Sequence, residues 1–273
     1  MNKVSNYILI ALLSVLVVML SFMLFFGIKG KNFKGTKVSL QSSENYILTD
    51  VNEINISTKS ADVSIKDSDD DKIYVDIYAG KNEKASSSLT DGKLDIELKN
   101  RSYFCFMCFG KSYQRRVEIK LPKSYNGKIS INTKSGDSNI ASYPDASLKL
   151  SARSGDINIK DIKNANINVT SGDIEINKVN VAKIKATSGD ISISEVNKST
   201  EIKVTSGNIR INDFNIKNNS TIKATSGDIR IKNLSDAFVE TSVKSGDVHV
   251  NGSNRNAKYE LYINVTSGDI RVN

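Results

Sequence analysis

The chain has 273 residues; 39% are hydrophobic but only 7% aromatic, with no Trp, two Pro, two Cys and one His. An aliphatic core is affordable, whereas a disulfide-stapled scaffold and a four-ligand Cys/His zinc site are excluded, and His249 is left as the only histidine base for a triad. The net charge of +8 is uneven: five Lys and no acid in 1–40 (+5), 14 basic against 14 acidic residues in 41–128 (zero), and 19 against 16 in 129–273 (+3). A nucleic-acid binder would concentrate its charge on the folded part, so nucleic acid is not an expected partner.

A short tail, residues 1–6, precedes a run from Tyr7 to Ile28 that carries no charge. As a helix rising about 1.5 Å per residue, 22 residues cover roughly 33 Å, enough for a hydrocarbon core of about 30 Å. A cleaved leader would have a shorter apolar stretch ending in a small-x-small site, whereas this run ends in Phe-Phe-Gly-Ile-Lys. The expectation is one transmembrane helix over 7–28, kept as a signal anchor, followed by a basic juxtamembrane linker over 29–40. The four Lys after the span favour a cytoplasmic C-terminal side, but long domains translocate largely regardless of charge.

Residues 41–128 hold three well-alternating runs, Ile73–Tyr78, Leu94–Leu98 and Val117–Leu121, expected as strands of an irregular cap. Tyr103-Phe-Cys-Phe-Met-Cys-Phe109 is an apolar stretch between polar flanks. Its Cys105 and Cys108 have redox spacing but no βαβ context, which leaves a core strand, a membrane- or partner-contacting hairpin or a local disulfide.

Residues 129–273 are repetitive. Ser-Gly-Asp or a near variant recurs with glycines at Gly136, Gly155, Gly172, Gly189, Gly207, Gly227, Gly246 and Gly268, at spacings of 19, 17, 17, 18, 20, 19 and 22. A degenerate copy stands at Ser60-Ala61-Asp62. Five and three positions before each glycine, and two and four after it, the residues are mostly β-branched or apolar, as in Ile184/Ala186 and Ile191/Ile193. A third apolar site recurs seven after it, from Tyr143 and Ile162 to Phe214 and Leu234. Alternation on both sides of a recurrent corner reads as two strand arms and a third side per unit. One such unit buries too little to stand alone, so units must stack.

The fold class expected is therefore all-β: a parallel β-solenoid (β-helix) of eight or nine coils. An antiparallel meander with Ser-Gly hairpins and a propeller of paired units are the rival architectures. The serine before each glycine shares the inward parity of the apolar pair, which predicts an interior serine column. The chain's last strand, Ile270–Asn273, is expected to be the open edge.

Aspartates one per coil along one edge (Asp137, Asp156, Asp173, Asp190, Asp228, Asp247 and Asp269, with Asn208 in place of one) admit two readings. One is a structural turn, the other a calcium ladder; one carboxylate per coil and an Asn in the row favour the turn. No cofactor is expected. Two basic stripes would flank that edge, Lys185, Lys203 and Lys223 on one side and Arg210, Arg230, His249 and Arg271 on the other. They either neutralise the aspartates or form a face for an anionic envelope polymer or lipid headgroups.

The ladder of Thr-Ser-Gly-Asp-Ile-x-Ile, preceded by Glu118-Ile-Lys-Leu-Pro-Lys123, resembles the membrane-anchored LiaG-like adhesin family of bacteria over roughly residues 40–273. The resemblance implies a β-solenoid outside the cytoplasmic membrane, sometimes linked to envelope-stress systems, and no catalytic residues. The function expected is a non-enzymatic, single-pass cell-envelope scaffold binding envelope polymers or partner proteins. A self-assembling, bactofilin-like scaffold is the alternative; a carbohydrate-active β-helix enzyme is weaker, lacking Trp and paired carboxylates.

Overall fold

The computed structural model describes residues 38–99 and 114–273, together with Leu16 and Val17. The membrane helix expected over 7–28 and the Cys105/Cys108 segment lie outside the described residues, apart from that pair. Among the described residues no helix is long and apolar enough to cross a membrane. Those of Val38–Ser102 and Gln114–Asn273 belong to one compact unit, which is all-β.

In chain order the strands are β1 (Val38–Ile47), β2 (Glu53–Thr58), β3 (Asp62–Ser68), β4 (Lys72–Gly80), β5 (Lys84–Thr90), β6 (Lys93–Lys99), β7 (Arg116–Pro122) and β8 (Lys128–Ser135). The long strands β9 (Ser138–Ser154), β10 (Ile157–Ser171), β11 (Ile174–Ser188) and β12 (Ile191–Ser206) follow. Then come β13 (Ile209–Phe214), β14 (Ser220–Ser226), β15 (Ile229–Leu234), β16 (Phe238–Ser245), β17 (Val248–Val250), β18 (Glu260–Ser267) and β19 (Ile270–Val272).

The repeats pair in parallel with glycine aligned on glycine. Ile157, Ile174, Ile191, Ile209, Ile229 and Ile270 stand opposite one another in turn. So do Leu150, Ile167, Ile184, Ile202, Ile222 and Ile263. Each of these residues is buried, and the third site adds Tyr143, Ile162, Val179, Val196 and Phe214. Apolar side chains thus run down the interior as continuous columns about 4.8 Å per step, which neither a meander nor a propeller provides. Within a coil the inward positions step by two along each arm and by three at the bends, as in Ile159, Ile162, Ala165 and Ile167. The break in period is where the chain turns.

The degenerate copy belongs to the stack: β2 pairs with β8, Ser60 bridges Ser135, and β3 pairs with β9. Beyond it lies a further coil that carries no Ser-Gly motif. In it β6 and β7 pair in parallel with β2 and β3. The chain then reverses over this coil, with β5 antiparallel to β6, β4 antiparallel to β7, and β1 antiparallel to β4. All three alternating runs are therefore strands, and the cap consists of a reversed layer.

At the other end the stacking order departs from chain order. β18 lies between β14 and β16, and β19 between β15 and β17. The coil of Gly268 is thus inserted between those of Gly227 and Gly246. The expected open edge at Ile270–Asn273 is wrong: Ile270 and Val272 are fully buried, and the exposed end is β16–β17.

Candidate functional site: the glycine corner and its basic flanks

At each corner two consecutive outward residues precede the glycine, as with Thr170 and Ser171 before Gly172. The expected interior serine column is therefore not observed: every serine from Ser135 to Ser267 in that position is exposed. Strand parity ends where the chain bends, and the serines act through their carbonyls. The Gly189 N–H donates to Ser206 O at 3.1 Å and the Gly207 N–H to Ser226 O at 3.0 Å. At Gly189, φ is +126°, and a Cβ would sit 2.1 Å from the Gly172 carbonyl oxygen. Glycine is required there both by conformation and by the closeness of the neighbouring coil.

The aspartates form one unbroken ladder. The Asp156 N–H donates to Asp137 Oδ1 at 2.9 Å, Asp173 to Asp156 at 3.0 Å, Asp190 to Asp173 at 2.8 Å, and Asn208 to Asp190 at 2.8 Å. Asn208 passes it on, its Oδ1 accepting from the Asp228 N–H at 3.0 Å. The last rungs run from Asp228 to Asp269 and from Asp269 to Asp247, each at 3.0 Å. Asn keeps the acceptor oxygen this geometry needs, so the row is a set of turn-fixing side chains. Among the described residues no group of three or more Asp, Glu, His or Cys is placed to hold a metal ion.

Both basic stripes form. Lys185, Lys203 and Lys223 are opposite one another on consecutive coils, followed by Asn264. Arg210, Arg230, Arg271 and His249 make the second row, with Arg271 third because its coil is inserted. Their electrostatics differ. Lys203 Nζ lies 2.7 Å from Glu201 Oε1, Lys183 Nζ lies 2.9 Å from Glu201 Oε2, and Lys223 sits 5.5 Å over the Tyr262 ring. The Lys203 ammonium, then that of Lys183, pulls the Glu201 carboxyl from its ordinary 4.5 down to about 2. The lysine row is therefore partly neutralised within its own sheet.

The arginine row is more open. Arg271 Nη2 lies 3.4 Å from Asp269 Oδ2, whereas Arg210 and Arg230 have no ion-pair partner among the described residues. Asn208 leaves the Arg210 rung without the carboxylate that other coils carry two positions before this column. His249 ends the row, its Nε2 3.1 Å from Asn251 Nδ2.

The lysine row borders an open groove of about 750 Å³. Its opposite wall is a column of Thr170, Thr187, Thr205, Thr225 and Thr266, with Val169, Ala186, Val204 and Ala224 between. The threonine column was legible as the Thr of Thr-Ser-Gly, but its partnership with the lysines depends on both columns facing outward from one arm. The groove's lining has hydroxyls, amides and ammonium groups and no pair of carboxylates.

Solved structures share this architecture. A "putative adhesin" from Bacteroides fragilis matches with a TM-score of 0.53 at 16% identity, covering 88% of this chain and 98% of that one. A "putative adhesin" from Parabacteroides distasonis matches with a TM-score of 0.51 at 17% identity, covering 87% and 98%. At these identities the likeness shows the fold alone. Among curated proteins, none matches the chain. The Toastrack DUF4097 family profile matches residues 51–273, the whole ladder from the degenerate first coil to the inserted last strand, and the chain belongs to that family.

Proposed function

We propose that this chain is a membrane-tethered, LiaG-like envelope scaffold whose Toastrack solenoid binds an anionic polymer along its arginine row. The observation that carries this reading is Arg210, Arg230 and Arg271 in register on consecutive coils, two of them without an acidic partner among the described residues. Like charges about 4.8 Å apart repel unless something anionic lies across them, and guanidinium groups suit phosphate or carboxylate oxygens. The threonine–lysine groove offers a second, weaker contact line for the same polymer. The solenoid is a non-enzymatic platform in this reading, its corners engaged in holding coils together. The anchor is the uncharged run over 7–28, and the solenoid stands outside the cytoplasmic membrane, where envelope polymers and stress-sensing partners are met.

The direct test is binding of a poly(glycerol phosphate) chain to the full-length protein in detergent. Arg210→Glu with Arg230→Glu should weaken binding at least about tenfold and flatten its salt dependence. Lys203→Glu should act less, because Lys203 already faces Glu201. Binding that survives Lys203→Glu combined with Arg230→Glu would eliminate the basic face. Protease accessibility of the solenoid in intact cells tests the topology separately.

A further inference from the structure

Among the described residues, the interior files reach an end without cover at the Gly246 coil. Val248 is 46% exposed, whereas Ile229 and Ile270 of the same file are at most 1% exposed. Thr241, Val243 and Val250 are half-buried where their counterparts in the neighbouring coil are fully buried. β16 and β17 each pair with one strand only among the described residues. The free side of β16 can be identified. The Phe238 N–H bonds inward, to Tyr259 O at 2.9 Å, and the next N–H, of Val239, bonds to Ser253 Oγ at 3.0 Å. Alternation along a strand then turns the main-chain groups of Thr241 and Val243 to the open side, past the Asn251–Ala257 connection that covers the start of the edge.

We propose that this edge is a dimer interface, closed by β16 of a second copy running antiparallel about a two-fold axis at Ser242. Three features select that occupant and register. Thr241 stands opposite Val243 of the other copy, both of inward parity, and their free N–H and C=O groups make reciprocal bonds. Glu240 stands opposite Lys244 of the other copy, twice, and both residues are exposed. These pairs occupy non-hydrogen-bonded positions, where side chains approach most closely. Finally, the opposite end of the solenoid is closed by the reversed β4–β5 layer and by β1. A head-to-tail fibre therefore lacks a matching parallel end, while an isologous contact closes after two copies. The interface is independent of polymer binding.

The test uses the full-length chain in mild detergent, with protein mass read by light scattering. The expected mass is two copies at about 100 μM. Glu240→Lys or Lys244→Glu alone should raise the dissociation constant at least about tenfold, since each puts two like-charge pairs across the axis, and the combined swap should restore it. Unchanged thermal melts of the single variants confirm that the coil itself is intact. Ser242→Cys should cross-link on oxidation into a two-copy species that the parent chain, with its own two cysteines, does not form. A monomer at that concentration would make Lys244 a guard against edge pairing and overturn the proposal. So would a dimer indifferent to both reversals, a reversal that the swap fails to restore, or mass that grows without limit.

Discussion

The two ends of the solenoid solve one problem in different ways. At the N-terminal end the chain turns back on its first coils, and Ile73, Val75, Ile77 and Ala79 of β4 are fully buried beneath β1 and beside β7. At the C-terminal end nothing described reverses. There the last strand slips one layer inward, protecting the terminus on both sides and leaving the Gly246 coil outermost. A stack of identical layers cannot terminate itself, because every layer presents the same hydrogen-bonding edge to the next. One end breaks the identity with antiparallel strands; the other keeps it and, among the described residues, remains open.

The contrast can be broken by substitutions of one residue type at positions that differ in depth. Gly189→Ala, inside the stack, drives a Cβ to 2.1 Å from the Gly172 carbonyl and should cost about 3 kcal/mol or more in urea unfolding. Gly252→Ala, in the connection at the open end, meets nothing within 4 Å. It should cost about 1 kcal/mol from its positive φ alone. The ladder offers a second pair. Asp190→Ala removes the acceptor of the Asn208 N–H and should cost about 1–2 kcal/mol. Asp247→Ala, at the last rung, leaves its own donation to Asp269 in place and should cost a few tenths of a kcal/mol by the same rule.

A gain is expected nearer the capped end. Ser138 occupies the isoleucine file between Val63 and Ile157, is 1% exposed, and its Oγ has no partner. Ser138→Val should raise stability by about 1 kcal/mol in the same unfolding assay. An effect as small as that at Asp247 belongs to Glu201. Its carboxyl is held near 2 against an ordinary 4.5, so its contribution is present above about pH 4.5 and lost as pH falls toward 2. Because the side chain is 36% exposed, that contribution should be a few tenths of a kcal/mol, read as the pH-dependent difference between the parent chain and Glu201→Gln.

Much of the fold was legible because a stacked repeat writes its three-dimensional register into one dimension. The glycine spacing and the alternating isoleucines identify the files, the corners and both basic rows, and Asn208 among the aspartates points to acceptor geometry over charge. The serine column was misread because strand parity does not survive a bend. The end coil was misread because the signal for it was faint: Gly246 lacks an apolar residue seven positions on, where Ser253 stands in a polar, turn-rich run.

By itself, the sequence determined that the layers stack and which apolar side chains face in, since period-two burial recurs at the same places on both arms of a glycine corner. Only the tertiary structure decided the order of the last two layers, the further coil built by β6 and β7, and which arginines lack an ion-pair partner among the described residues. Adjacent layers make nearly the same bonds whichever comes first in the chain. That choice rests on the length and path of the connections, and these carry no repeat.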